Sequence, residues 1–183
     1  ALRRPALLCA AGVLVAIDQV LWYVDIVGYI LLGKLPIKVC GYLFWPTTQL
    51  VKKVTAVHHV VFVPLVLLSC ARGAGVPLGR GFLVSAAQTV VCQAVCRFAT
   101  PLELPAIPGR DGPHYLNLNL CYEAFRGVKV AWIKRYDRAP AAMYLPWMLW
   151  IWNLGNLLLF AAVAGLLLPV AWCLGFGGAR LVF

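Results

Sequence analysis

The sequence predicts an all-α fold, a multi-pass transmembrane helical bundle. Three observations predict it. Of the 183 residues, 63% are hydrophobic and 12% charged, whereas a soluble domain is about 45–50% apolar and about 25% charged. Apolar runs recur along the chain at lengths near the roughly 20 residues that cross a bilayer as a helix. Basic residues fall mostly between those runs, at Arg3 and Arg4, Lys34 and Lys38, Lys52 and Lys53, Arg72 and Arg80, Lys134, Arg135 and Arg138, and Arg180. That is the headgroup level, where membrane proteins place cations. A water-soluble fold of this size could not hide so much apolar surface. Four to six spans and one interfacial helix are expected, in a single domain over 1–183.

The first apolar region covers residues 5–32, long enough to span at 1.5 Å per residue. Asp18 and Asp25 interrupt it seven residues apart, so they share a helix face. That face is expected to look into protein or water rather than lipid. Residues 35–51 are shorter and mixed, with Pro36, Pro46 and an aromatic cluster at Tyr42, Phe44 and Trp45. They read as an interfacial helix, with a short tilted span as the alternative. Residues 54–71 form an uncharged run that carries His58-His59 near its start and Pro64 inside. A loop rich in Gly and Arg follows over 72–80. Residues 81–96 are uncharged but a little short for a span, so an extension at one end is expected.

Between 100 and 113 the prolines and glycines exclude a regular helix. Residues 114–133 read as a helix with Glu123, Arg126 and Lys129 inside it. Glu123 and Arg126 are candidates for a structural ion pair at i,i+3, as is Asp18 with a cation elsewhere. No charged residue lies between Arg138 and Arg180. One long span with an interfacial tail is favoured there over a hairpin, because the polar turn residues of a hairpin tip are missing.

The net charge of +10 is spread over many connections and makes no single patch. Anionic lipids are therefore expected as partners and nucleic acid is not. The seven cysteines lie mostly inside apolar stretches, where Cys acts as a small hydrophobe. There is no CxxC, hence no zinc or redox signature and no expected metal site. The chain opens Ala-Leu-Arg-Arg-Pro, basic and without acids, which fits the tail of a cleaved organellar presequence. The expected location is the mitochondrial inner membrane, with plastid or endoplasmic reticulum membranes as alternatives.

His58-His59 is the sharpest chemical feature. Neighbouring helical side chains point about 100° apart, so the pair does not chelate one metal. One imidazole can act as base, relay or ligand. The blander reading places both at the interface beside Lys52 and Lys53, donating to carbonyls or headgroups. Haem is not expected, because only His58, His59 and His114 are present and their spacing does not suggest an axial pair. With Ser69 and Ser85 the only serines and no Gly-x-Ser-x-Gly, serine hydrolase chemistry is excluded.

Val57-His58-His59-Val60-Val61, followed by an apolar helix and a Gly-containing loop, resembles the signature of the TLC-domain family. Asp25 with Gly28 and Tyr29 upstream, and Phe98-Ala99-Thr100-Pro101-Leu102-Glu103 downstream, resemble two further elements of that family. The resemblance covers about residues 18–156 through these short motifs. It implies a bundle of transmembrane helices. In the family's enzymes, the ceramide synthases among them, it implies acyl transfer to a sphingoid amine; other members sense or organise lipids. Residues 81–96 depart from the enzymes, having no His-Asp pair and no acid, so a non-catalytic descendant is the expectation.

The expected function is a non-catalytic accessory subunit of a larger membrane complex, most concretely of the mitochondrial respiratory chain. Its partners would be other membrane subunits and anionic lipids, with bound phospholipid but no cofactor. His58, His59, Asp25, Lys52 and Lys53 are the candidate lipid-binding or functional residues; none is assigned a catalytic role. The alternatives are a TLC-like lipid-modifying or lipid-binding protein, and a small transporter with Asp18 and Asp25 in its path.

Overall fold

The computed structural model describes residues 4–71, 75–105, 114–115, 120–123, 131–173, 175 and 181–182. The protein is all-α, with four helical segments long and apolar enough to span a bilayer: Pro5–Leu32, Leu50–Cys70, Leu78–Ala99 and Ala141–Cys173. It is a multi-span integral membrane protein. The described residues form two compact units, one of residues 1–85 and 155–183, the other of residues 86–154.

The first unit begins with α1 (Pro5–Leu32), whose Pro sits at the helix start where a missing N–H costs nothing. Gly33 ends it in the left-handed conformation, φ +65°, and donates its N–H to the Tyr29 carbonyl. Next come α2 (Leu50–Thr55) and α3 (His58–Ala71), which form one span broken by a turn at 56–57. Strand β1 (Val76–Pro77) leads into α4 (Leu78–Ala99) and pairs in parallel with β4 (Leu181–Val182). The core joins Cys9, Val13 and Ala16 of α1 to Val63, Val66 and Leu67 of α3 and to Phe160, Ala164 and Leu168 of α7 (Leu154–Cys173).

Water does not drive such helices together inside a bilayer, so close van der Waals fit must. Glycines supply that fit. A Cβ at Gly12 would overlap the Phe160 ring, and one at Gly81 would lie 2.5 Å from Cys9 Sγ. The Asn156 carboxamide oxygen adds an interhelical bond, accepting from Ile17 N–H at 2.8 Å. Pro64 inside α3 removes the N–H that would serve the Val60 carbonyl one turn earlier. Lipid offers no substitute donor. The Tyr23 hydroxyl on α1 donates to that carbonyl at 3.3 Å.

The second unit holds the rest of α4, an antiparallel pairing of β2 (Glu103–Leu104) with β3 (His114–Tyr115), the short α5 (Ala131–Lys134) and α6 (Ala141–Met148). A π-helical turn, Leu149–Asn153, joins α6 to α7. Arg97 in the last turn of α4 organises the polar end of this unit. It donates to the carbonyls of Cys121 and Ala139 and lies 4.0 Å from the Tyr122 ring centroid. The Tyr122 hydroxyl returns to the carbonyls of Arg97 and Thr100, at 3.1 and 2.6 Å.

Three sequence expectations need adjustment. Residues 33–49 hold only a 3-10 turn, Gly41–Phe44, rather than an interfacial helix. Pro36 and Pro46 interrupt the helical ladder, and Asp25 takes the N–H groups a helix would use. The helix expected over 114–133 does not begin at His114, which is in a strand. Leu120 has a positive φ and 121–123 are not helical; the next described helix is Ala131–Lys134, and residues 116–119 and 124–130 of the expected helix lie outside the described residues. The short run over 81–96 is extended at both ends, to Leu78 and Ala99, taking in Arg80 and Arg97. The last apolar stretch is one continuous helical segment, as the missing turn residues implied.

Candidate functional site

The polar groups singled out in the sequence gather where α1, the 33–49 segment and the α2–α3 turn meet. Asp25 is fully buried. Its carboxylate accepts three backbone N–H bonds, from Ile37 at 2.8 Å, Lys38 at 3.0 Å and Cys40 at 3.1 Å. The chain can return this way because Gly28 has no side chain: a Cβ there would sit 2.5 Å from the Pro36 ring. Lys38 adopts φ +73° to present its N–H. A left-handed non-glycine residue costs about 1–2 kcal/mol, which charge-assisted bonds to a buried carboxylate offset. Cys40 is buried against the same carboxylate, and burial and the Asp25 charge both push its thiol pKa up. Burial likewise raises the Tyr42 hydroxyl, with the Asp18 charge adding to it.

Asp18 and His59 form a second cluster. Asp18 Oδ2 lies 3.0 Å from His59 Nδ1. The Gln19 amide nitrogen lies 2.8 Å from the same Nδ1. One ring nitrogen cannot serve both contacts as they stand. With Asp18 ionised, Nδ1 carries the proton, and Gln19 fits only with its amide turned over so that Oε1 accepts. The Trp22 indole stacks on His59, with centroids 4.4 Å apart and planes 9° from parallel. These contacts hold the ring in one orientation and leave Nε2 with the lone pair. An oriented imidazole with a carboxylate on its far nitrogen has the elements of a general base.

His58 faces elsewhere. Its Nδ1 bonds the Thr55 carbonyl and its ring lies 4.0 Å from that of His59, centroid to centroid. With Lys52, Thr47, Thr48, Tyr42 and Trp45 it lines a polar cleft of about 530 Å³. Lys53 lines neither this cleft nor the Asp18–His59 cluster. Asp18 and Asp25 share a helix face, as their spacing requires, but have different partners. Asp18 is half exposed and on a histidine; Asp25 is buried on backbone. Of the proposed Glu123–Arg126 pair, Arg126 lies outside the described residues; Glu123 is buried and pairs with Arg138.

Sequence reasoning missed Gln19, Trp22, Cys40 and Arg97. Trp22 had a local signal, because it lies four residues from Asp18 and three from Asp25 on one helix and so flanks their shared face. The contacts of Gln19, Cys40 and Arg97 depend on how distant segments fold back, which spacing does not reveal. Comparison with family models, curated proteins and solved structures finds no match to this chain.

Proposed function

We propose that this protein is a non-catalytic, lipid-contacting subunit of a larger membrane assembly, built on a TLC-like helical bundle. The observation that carries the reading is the state of Asp25. The most deeply buried acid of the candidate site is spent on three backbone amides of its own chain, a structural use that holds the 33–49 segment on α1. The mitochondrial inner membrane, and its respiratory chain, is the concrete setting proposed. Cross-linking mass spectrometry in intact membranes tests this. Lys34, Lys52, Lys53 and Lys134 should link reproducibly to a small set of other membrane subunits. Links only within this chain, or to no consistent partner, would count against it.

The Asp18–His59 contact favours a second reading, lipid modification by acyl transfer with His59 Nε2 as base. Its test is turnover of an acyl thioester and a long-chain amine by the purified chain, abolished by His59→Ala. The transporter reading is weakened, because Asp25 has three donors already and a proton path would need it released.

A further inference from the structure

We propose that the cavity between Arg4 and Arg80 binds the phosphate headgroup of an anionic membrane phospholipid. The cavity has a volume of about 510 Å³ and lies wholly within the first unit. Arg4 immediately precedes α1 and Arg80 is in the first turn of α4, so both spans begin at the cavity. Its depth is therefore that of the headgroups, not the hydrocarbon. Both arginines are exposed, and among the described residues no carboxylate lines the cavity. Among the described residues, neither guanidinium makes an ion pair. Arg4 and Arg80, brought from different parts of the chain, line one cavity, and the planar guanidinium fork suits the paired oxygens of a phosphodiester.

The remaining wall decides what carries the phosphate. Pro5, Leu7, Pro77 and Val182 give the cavity an apolar side next to its cations. A soluble phosphate gains nothing from that side, whereas a glycerophospholipid places its glycerol and first methylenes there. A choline headgroup brings a fixed cation beside two arginines and is disfavoured. The ligand class is thus a phospholipid with net negative charge, of the phosphatidylglycerol type. The inference is independent of the subunit and acyl-transfer readings, because it uses none of the histidine cluster.

The test is native mass spectrometry of the full chain in mild detergent with phosphatidylglycerol or phosphatidylcholine added. Phosphatidylglycerol should be retained preferentially. The Arg4→Gln/Arg80→Gln double variant should lose about twenty-five-fold of that retention, about fivefold for each cation removed. Lys34→Gln, which removes an exposed cation that lines neither cleft, should retain the wild-type level. Circular dichroism checks that the helices persist. If the Gln variant does not fold, Arg4→Lys/Arg80→Lys keeps the charge and loses only the forks, and retention should still fall several-fold. Equal retention of the two lipids, or unchanged phosphatidylglycerol binding in a folded double variant, would overturn the site. Displacement of the lipid by millimolar inorganic phosphate would overturn the lipid assignment in favour of a soluble phosphate.

Discussion

Asp25 shows how one side chain organises a segment. Its carboxylate gathers N–H groups from three residues, 12 to 15 positions further along the chain. Asparagine at this position offers one acceptor oxygen and a competing NH₂. Asp25→Asn should therefore destabilise the protein by about 3 kcal/mol, since buried donors lose charged acceptors. Thermal melting in detergent checks it, and an unchanged midpoint would contradict the role. Cys40 gives the matching pH prediction. Its folded pKa is raised above the ordinary 9.0 by burial and by Asp25, so the folded state keeps a proton that the unfolded chain releases. The associated stability is complete below about pH 9 and is lost as pH rises from there towards the folded pKa. Cys40→Ala should make the alkaline decline in melting temperature shallower. At pH 8 the native Cys40 should resist alkylation while exposed Cys173 reacts.

At the scale of elements, the spans were legible because lipid demands uninterrupted apolar runs, and those runs are local in sequence. The 33–49 segment was not legible as a non-helical return, because an acid on α1 fixes it from outside. Proline and aromatic content alone suggested an interfacial helix. The Asp18–His59 contact was hidden for a similar reason, since Gln19 lies 40 positions from His59 and Asp18 one position further. Only half of this site was visible beforehand: Asp18 and His59 were named, but Gln19, Trp22 and the pairing itself were not. The glycine contacts yield an element-scale prediction. Gly81→Ala would force α4 away from Cys9 and the α1 backbone, where a Cβ meets Cys9 Sγ at 2.5 Å and Ala10 N at 3.2 Å. Overpacking of this kind costs about 1–3 kcal/mol. Gly165→Ala, with nothing within 4 Å of its Cβ, should be neutral or slightly stabilising, because it removes a flexible residue from a helix. Melting midpoints of the two variants, measured side by side, separate the packing effect from helix propensity.

The whole molecule poses a choice between a protein that works alone and one that works in an assembly. The histidine pair bears on it. If the cluster is structural, His58→Ala with His59→Ala should alter assembly or lipid retention and leave no acyl-transfer turnover to lose. If wild-type turnover exists and the double variant abolishes it, the enzyme reading replaces the subunit reading. The most direct measurement is the native size of the particle that carries this chain when its membrane is solubilised in mild detergent. A 20.0 kDa chain acting as an accessory subunit should migrate only within a much larger complex of defined composition, and should stay there through a second separation. Recovery of the wild-type chain as an isolated, folded monomer or small homo-oligomer in the same mild detergent would contradict the subunit reading.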